Sequence, residues 1–239
     1  MAHRYRFYIE PETAVDSPIV LEGAEAHHAL HVVRVRKGEE VACFNGIGAE
    51  VTGRVVRAER AALTIEPEQV THTPEPSIRL TLAQAWLHRE KAVEEFVKRA
   101  TELGVTRFTF FRGEHSERPP KVSDKWVRWA IDSCKQSGRS WLPAFDVVDD
   151  LAGVLDGKVG PAIIATQHRT PTPLAQSISG ESATLLVGPE GDFSEDELKL
   201  ADARGAASVS LGDATYRSEV AATLLAALVL YELGGLGPR

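Results

Sequence analysis

Hydrophobic and polar positions follow two different patterns along the chain, and the pattern changes near residue 73. Before that point, short β-prone runs separated by turns predict strands at residues 5–9, 19–21, 40–45, 50–58 and 61–65, and one short helix at residues 24–34. The sequence NGIG at residues 45–48 separates two of these runs and is typical of a hairpin loop. The pattern therefore predicts a small N-terminal domain that forms a compact β-barrel.

After residue 77, predicted strands alternate with predicted helices. The strands are at residues 78–86, 106–111, 145–148, 161–166, 184–187 and 207–211, and the helices are at residues 88–103, 122–137, 149–155 and 219–233. Such alternation is typical of a parallel sheet covered by helices, so the predicted fold class is α/β. Residues 71–77 contain two prolines and show no periodicity, which predicts a linker between domains at residues 1–72 and 73–239.

Two glycine-containing turns follow the last two predicted strands, and each leads into a helix. The first turn reads GPEGD at residues 188–192, and Ser194 with Glu197 predicts a capping box at the helix that follows. The second turn covers residues 211–217, and Ser218 is predicted to cap the last helix. Ligands bind at the carboxyl ends of parallel strands, so the two turns together predict a ligand site. For either turn alone, an ordinary connection explains the sequence as well.

These two turns together resemble the C-terminal signature of the RsmE family, which are SPOUT-class ribosomal RNA methyltransferases. The family usually has GPEGG, and Asp192 takes the place of the last glycine here. The family also has LG-x-R-I-L-R-x-E-T-A, which appears as LGDATYRSEVA from Leu211. In this second motif Ala214 replaces the first arginine, Tyr216 the leucine and Val220 the threonine.

Three further stretches are similar to the family, so the resemblance spans nearly the whole chain. The sequence REK at residues 89–91 stands where the family has GEK, and KRATELG at residues 98–104 is similar to its K-x-x-ELG block. The family pattern EQ-x-x-R appears at residues 135–139 with Lys135 in place of the glutamate. In the N-terminal part, His28 and Arg34 begin an H-x5-R-x3-G-x7-G pattern.

The resemblance implies a fold, a reaction and partners. Family members have an N-terminal PUA-like β-barrel that binds RNA and a C-terminal SPOUT α/β domain with a parallel sheet and a deep trefoil knot. They use S-adenosyl-L-methionine to methylate N3 of a specific uridine in 16S rRNA of the small ribosomal subunit, and they form homodimers. Nothing in the periodicity or spacing of the sequence indicates a knot, and threaded connections are rare in proteins. The knot is therefore implied by the resemblance alone.

Two groups of residues are expected to bind ligands, one the cofactor and the other RNA. The residues expected to bind the cofactor are Thr166, Leu186, Gly188, Glu190, Leu211, Gly212 and Tyr216, largely through backbone atoms. The residues expected to contact RNA are His28, Arg34, Arg36, Arg112, Arg118 and Arg139. For any one basic residue, an ordinary solvated position explains the sequence almost as well.

The implied reaction requires that uracil N3 lose its proton while negative charge spreads onto O2 and O4. The predicted catalytic residues are Arg217, Glu219 and Glu190. Arg217 suits the stabilisation of the negative charge. Glu190 or Glu219 could accept or relay the proton, or hold Arg217 in place. Glu219 is the favoured holder of Arg217, and a helix dipole is an alternative partner for Glu190.

The net charge of −7 argues against a general nucleic-acid binder, but the charge is unevenly distributed. Basic residues exceed acidic ones over residues 85–141, which also contain all four tryptophans, and this combination suits an RNA surface or a solvated helix face. Cys43 and Cys134 lack the spacing of a metal site, and His27 and His31 lack the glutamate of HExxH. With no long apolar run and no signal-peptide core, the expectation is a cytoplasmic chain with reduced thiols, no metal and no membrane contact.

Two other functions remain open at this point. One is an α/β enzyme that binds a nucleotide or phosphate through GPEGD, although GxGxxG and GxxxxGK[ST] are absent from the sequence. The other is a non-catalytic RNA-binding or ribosome assembly factor that retains the SPOUT fold. Cofactor binding separates the three functions, because only the methyltransferase is expected to bind S-adenosylmethionine and transfer its methyl group.

Overall fold

A computed structural model describes residues 5–237, which form two compact units. One unit contains the described residues up to Glu75 together with Ile131–Leu142, and the other contains Pro76–Ala130 and the described residues from Pro143 onwards. Residues 131–142 thus belong to the same unit as the N-terminal part of the chain. A single domain boundary in the sequence does not describe this division. The expected domains at residues 1–72 and 73–239 stay a prediction.

The N-terminal unit contains a mixed sheet with strand order β1-β3-β4-β5-β2. Its strands are β1 (Tyr5–Tyr8), β2 (Ile19–Leu21), β3 (Glu40–Phe44), β4 (Ala49–Ala58) and β5 (Leu63–His72). Strands β1 and β3 are parallel, and the other neighbours are antiparallel. Shifts of register within the β4–β5 pair mark bulges, which increase the local twist and curl the sheet. Apolar side chains of this sheet and of the helical segment after β2 form a core of their own, so the predicted β-structure of the N-terminal part is confirmed.

Two details of this unit differ from the sequence prediction. The predicted helix at residues 24–34 is shorter and irregular: α1 (Gly23–His27) continues into a π-helical turn at His28–Val32, and Arg34 then has a φ of 60°. The predicted linker at residues 71–77 begins too early, because β5 continues to His72. Pairing with β4 supplies hydrogen-bond partners for this polar stretch, and local composition does not reveal such pairing.

The second unit is built on a sheet with strand order β11-β9-β10-β6-β7-β8, in which every neighbouring pair is parallel. Its strands are β6 (Arg79–Ala85), β7 (Arg107–Phe111), β8 (Ala144–Val147), β9 (Ala162–Ala165), β10 (Ser182–Val187) and β11 (Ala207–Val209). Two apolar cores cover the sheet, one on each face. The predicted α/β class with a parallel sheet is confirmed, and the trefoil knot stays a prediction.

The helices of this part of the chain are close to the predicted ones. They are α2 (Glu90–Leu103), α3 (Lys125–Ser137), α4 (Leu151–Asp156), α5 (Leu174–Ser177), α6 (Glu195–Ala203) and α7 (Ser218–Glu232). The short helix α5 was absent from the sequence prediction. Helix α2 ends at Gly104, whose φ of 117° gives it the left-handed conformation expected for a glycine at this position. Within residues 5–237, no helix combines the length and the apolar character that a membrane span requires.

Both cysteines are unpaired and buried, as the prediction of reduced thiols requires. Burial raises the pKa of the Cys43 thiol to about 12 and that of the Cys134 thiol to about 11. Both thiols therefore stay protonated at neutral pH, and a protonated thiol is a poor nucleophile.

Candidate functional site

A cavity of about 540 Å³ lies in the second unit, at the carboxyl ends of three adjacent strands. The loop after β9 contributes Thr166 and Gln167 to the lining. The turns after β10 and β11 contribute residues 188–190, Asp192, Leu211 and residues 214–217. Arg89, at the capping position of α2, and Glu219, in the first turn of α7, complete the wall. A cavity of this size at the carboxyl edge of a parallel sheet is typical of a small-molecule site.

The first turn is compact because its backbone folds back on itself. The amide of Asp192 donates to the carbonyl of Pro189 at 3.0 Å, and the carboxylate of Asp192 accepts from the amide of Phe193 at 2.8 Å. A Cβ atom at Gly188 would lie 3.1 Å from the backbone of Asp192, so a larger residue would press against the turn. Asp192 itself has a φ of 59°, a conformation in which glycine is cheapest. The backbone conformation at residue 192 therefore explains why the family pattern has glycine at this position.

The predicted capping box at α6 is confirmed. The hydroxyl of Ser194 accepts from the amide of Glu197 at 3.1 Å, and the carboxylate of Glu197 accepts from the amide of Ser194 at 2.8 Å. Glu197 is also buried and accepts from the amide of Glu114 at 3.1 Å. These bonds fix the start of the helix that follows the first turn.

The predicted cap at Ser218 is wrong. Ser218 is the first residue of α7, Arg217 holds the capping position, and no side chain caps the helix there. The buried hydroxyl of Ser218 instead donates to the carbonyl of Gly188 and accepts from Nε2 of Gln84 at 2.9 Å. Gln84 also donates to the carbonyl of Gly188 at 2.9 Å. Gln84 and Ser218 thus connect the end of β6, the first turn and the start of α7, and this tertiary role competes with capping.

The second turn is held by fewer hydrogen bonds than the first turn. Gly212 has a φ of 105°, and its amide donates to the hydroxyl of Ser210 at 3.2 Å. Nε2 of Gln167 donates to the carbonyl of Ala214 at 3.0 Å, which connects this turn to the loop after β9. The residues from Gly212 to Arg217 are all exposed. The second turn is therefore an open wall of the cavity.

The charged side chains of the cavity are arranged differently from the prediction. Oε1 of Glu219 accepts from Nη2 of Arg89 at 3.0 Å, so the interpretation that Glu219 holds Arg217 is wrong. Within residues 5–237, the exposed side chain of Arg217 has no hydrogen-bond or ion-pair partner. Glu190 accepts from the amide of His88 at 3.1 Å, just before α2 begins. A carboxylate that accepts from a backbone amide near a helix start is the kind of contact expected if the partner of Glu190 is a helix dipole.

Most of the predicted cofactor and catalytic residues meet at this cavity. Lining residues among them are Thr166, Gly188, Glu190, Leu211, Tyr216, Arg217 and Glu219. Leu186 does not line it, because its side chain is fully buried in a core, and Gly212 lies in the second turn without lining the cavity. The roles of all these residues stay predictions. Sequence reasoning missed Arg89 and Gln84, although Gln84 is an uncharged polar residue in the otherwise apolar end of β6 and could have been noticed.

The residues predicted to contact RNA are divided between the units. His28, Arg34, Arg36 and Arg139 belong to the N-terminal unit, and Arg112 and Arg118 to the other. Arg34, Arg36, Arg112 and Arg118 are exposed. The ring of His28 packs edge-on against Phe7, with the ring centres 6.0 Å apart, and burial lowers the pKa of Arg139. His28 and Arg139 thus have structural surroundings that the sequence did not indicate, and contact with RNA stays a prediction for all six.

Comparisons with known proteins give matches along most of the chain. The model of the RNA methyltransferase domain matches residues 73–230, and the model of the RNA methyltransferase PUA domain matches residues 21–68. The chain is 29% identical to ribosomal RNA small subunit methyltransferase E of Synechocystis sp., a match that covers 94% of this chain and 77% of that protein.

Two solved structures are similar over nearly the full length. Ribosomal RNA small subunit methyltransferase E from Neisseria gonorrhoeae, bound to S-adenosyl methionine, is 28% identical with a TM-score of 0.80, and the match covers 96% of this chain and 98% of that one. A probable rRNA-methyltransferase from Porphyromonas gingivalis is 26% identical with a TM-score of 0.86, covering 97% and 99%.

Proposed function

Because this chain belongs to the RNA methyltransferase family and carries the matching PUA domain, we propose that it transfers a methyl group from S-adenosylmethionine to N3 of a uridine in 16S rRNA of the small ribosomal subunit. The cavity at the ends of β9, β10 and β11 is the observation that carries the proposal. A relative of the same fold, 28% identical, binds S-adenosyl methionine, which supports the same ligand for this cavity.

The residues that line the cavity fit this cofactor. Its volume of about 540 Å³ suits a ligand of nucleoside size, and Ala165, Val187 and Leu211 supply apolar surface for an adenine ring. Polar backbone of the two turns can bind the ribose and amino-acid parts. The carboxylates of Glu190 and Asp192 suit a positively charged ligand. When bound, S-adenosylmethionine supplies a methyl group on a cationic sulfur, which makes the methyl carbon electrophilic.

The other charged residues suit the uracil. Its N3 is nucleophilic only after the imide proton leaves, and the negative charge then spreads onto O2 and O4. Arg217 lines the cavity and is exposed, so its guanidinium can stabilise that charge. Glu219 lines the same cavity and can accept the proton. Since N3 lies on the Watson–Crick edge, the target base must be unpaired before it reaches the cavity.

The partners of this reaction are part of the proposal. Exposed Arg34 and Arg36 in the N-terminal unit, and Arg112 and Arg118 in the other unit, are suited to bind RNA phosphates. The resemblance to the family supports a homodimer, and we retain both the homodimer and a cytoplasmic location as proposals. The alternative of a non-catalytic assembly factor is less well supported, because the cavity retains Arg217 and Glu219 beside the two turns.

Calorimetry with S-adenosylmethionine and S-adenosylhomocysteine tests the cofactor site. We expect micromolar binding by the wild type and a loss of binding in Gly212→Trp, because the φ of 105° at Gly212 strains any residue with a side chain and the second turn would be distorted. Tyr231→Ala, an exposed position on α7 that does not line the cavity, is the control. No binding by a folded wild type would contradict the methyltransferase function and favour the assembly factor.

Methyl transfer tests the target. Purified small subunits that lack the modification are the substrate, and the methylated nucleoside is identified by mass and by comparison with authentic 3-methyluridine. Formation of 3-methyluridine supports the proposal. Another methylated nucleoside would retain the RNA methyltransferase and refute the N3 assignment.

A further inference from the structure

Glu219 has one carboxylate oxygen that no protein group satisfies. The residue is 4% exposed and lines the cavity. Oε1 accepts from Nη2 of Arg89 at 3.0 Å, whereas Oε2 is buried and has no hydrogen-bond partner within residues 5–237. A buried carboxylate oxygen without a donor is costly, so such an atom beside a cavity indicates a ligand that donates a hydrogen bond.

Arg89 determines which oxygen remains available. It holds the capping position of α2, and this helix packs against α7, which carries Glu219 in its first turn. Arginine often binds both oxygens of a carboxylate, but Arg89 contacts only Oε1 here. The contact fixes the orientation of the carboxylate and leaves Oε2 to the cavity.

The charges select the kind of donor. Arg89 already balances the negative charge of Glu219, so a neutral N–H group satisfies Oε2 without adding charge. Arg217 lines the same cavity and offers donors to an oxygen. A neutral N–H flanked by carbonyl oxygens matches this pair of groups, and the imide edge of uracil is such a group. A cationic ammonium of the cofactor would instead add a positive charge near Arg89 and Arg217.

We propose that Arg89 is a positioning residue for Glu219, and that Oε2 of Glu219 accepts the N3 proton of the target uracil. The proton moves from N3 to Oε2, the electron pair of the N–H bond remains on N3, and Arg217 stabilises the resulting negative charge. The proposal rests on the proposed function, because it assumes that the cavity receives a uracil.

Four single variants and one double variant test the positioning role. Arg89→Ala removes the contact, Arg89→Lys keeps the charge without the planar guanidinium, and Glu219→Gln keeps the shape of the side chain without the acceptor charge. Arg99→Ala is the matched control, because Arg99 is a half-exposed arginine on the same helix that pairs with Glu95 and does not line the cavity. Each protein is assayed for kcat and KM on small subunits, and for binding of S-adenosylhomocysteine by calorimetry.

We expect Glu219→Gln to lower kcat about 100-fold or more, as the loss of a general base does. Arg89→Ala should lower kcat about 10- to 100-fold through misplacement of that base, and Arg89→Lys should recover part of the loss. The affinity for S-adenosylhomocysteine should stay within about twofold in all four variants. The double variant Arg89→Ala/Glu219→Gln should be no slower than Glu219→Gln alone, because residues that act as a unit are not additive.

Three results would overturn the inference. Multiplicative losses in the double variant would mean that Arg89 acts independently of Glu219. An unchanged kcat in Arg89→Ala would exclude a positioning role. A parallel loss of S-adenosylhomocysteine affinity would assign Oε2 to the cofactor ammonium. If Glu219→Gln fails to fold, the Arg89 series still decides. A wild type that neither binds the cofactor nor methylates RNA would instead refute the proposed function, and the inference with it.

Discussion

The two turns of the cavity differ in how the protein holds them. The first turn, residues 188–192, is connected to the core by Gln84 and Ser218, which are both buried. The second turn, residues 211–217, is exposed from Gly212 onwards and is held mainly by Gln167. The first turn is preorganised, so a ligand can bind there without a loss of conformational entropy in the turn. The second turn is open, so a ligand can enter past it. Substitutions in the first turn are therefore expected to affect stability, and those in the second to affect binding.

The largest expected effect is at Gln84. Gln84→Leu removes the buried amide that connects the first turn to α7, and we expect the free energy of unfolding to fall by about 2 to 3 kcal/mol. Urea denaturation measures this change in the free energy of unfolding. Gln176→Leu is the control, because Gln176 is exposed on α5. Equal stability of the two variants would show that the first turn does not depend on this amide.

A smaller loss is expected at Ser218. Ser218→Ala removes one hydroxyl that both donates to Gly188 and accepts from Gln84, and we expect a loss of about 1 to 2 kcal/mol. Ser210→Ala, at an exposed serine before the second turn, should change stability by less than about 0.5 kcal/mol. A loss at Ser210 as large as at Ser218 would remove the difference between the two turns.

The backbone of Asp192 allows a test within the first turn itself. Asp192→Ala and Asp192→Gly both remove the carboxylate, but only glycine adopts a φ near 59° without strain. The glycine variant should therefore be more stable than the alanine variant by about 0.5 to 1 kcal/mol. Thermal denaturation of the pair measures this difference, and an alanine variant of equal or greater stability would contradict the strain.

The smallest effect on stability is expected at Tyr216 in the second turn. Tyr216 is 40% exposed and lines the cavity, so Tyr216→Ala should change the free energy of unfolding by less than about 0.5 kcal/mol. Binding of S-adenosylhomocysteine should nevertheless weaken, since an aromatic wall of the cavity is lost. Tyr231→Ala serves as the comparison on both measurements. A destabilised Tyr216→Ala that binds normally would reverse the proposed roles of the turns.

The strands and the main helices were predictable because they depend on local patterns. The alternation of strands and helices after residue 77 indicated the parallel sheet, and Gly104 and the Ser194–Glu197 box marked helix ends through local backbone chemistry. The end of β5 at His72 was not predictable, because a polar strand is stabilised by its pairing with β4. The π-helical turn at His28–Val32 and the short α5 also carry no local signal of comparable strength.

The cavity shows the same division. Turn chemistry and helix starts are local. The pattern of residues therefore indicated two glycine turns in consecutive βα units and placed Arg217 and Glu219 beside the second turn. Tertiary packing, in contrast, pairs Glu219 with Arg89, 130 residues away in sequence, and directs the hydroxyl of Ser218 to the carbonyl of Gly188 in place of a cap on α7. Neither partner could be read from spacing, because the strand order of the sheet brings α2, α7 and the first turn together, and hydrogen-bond partners follow from that packing.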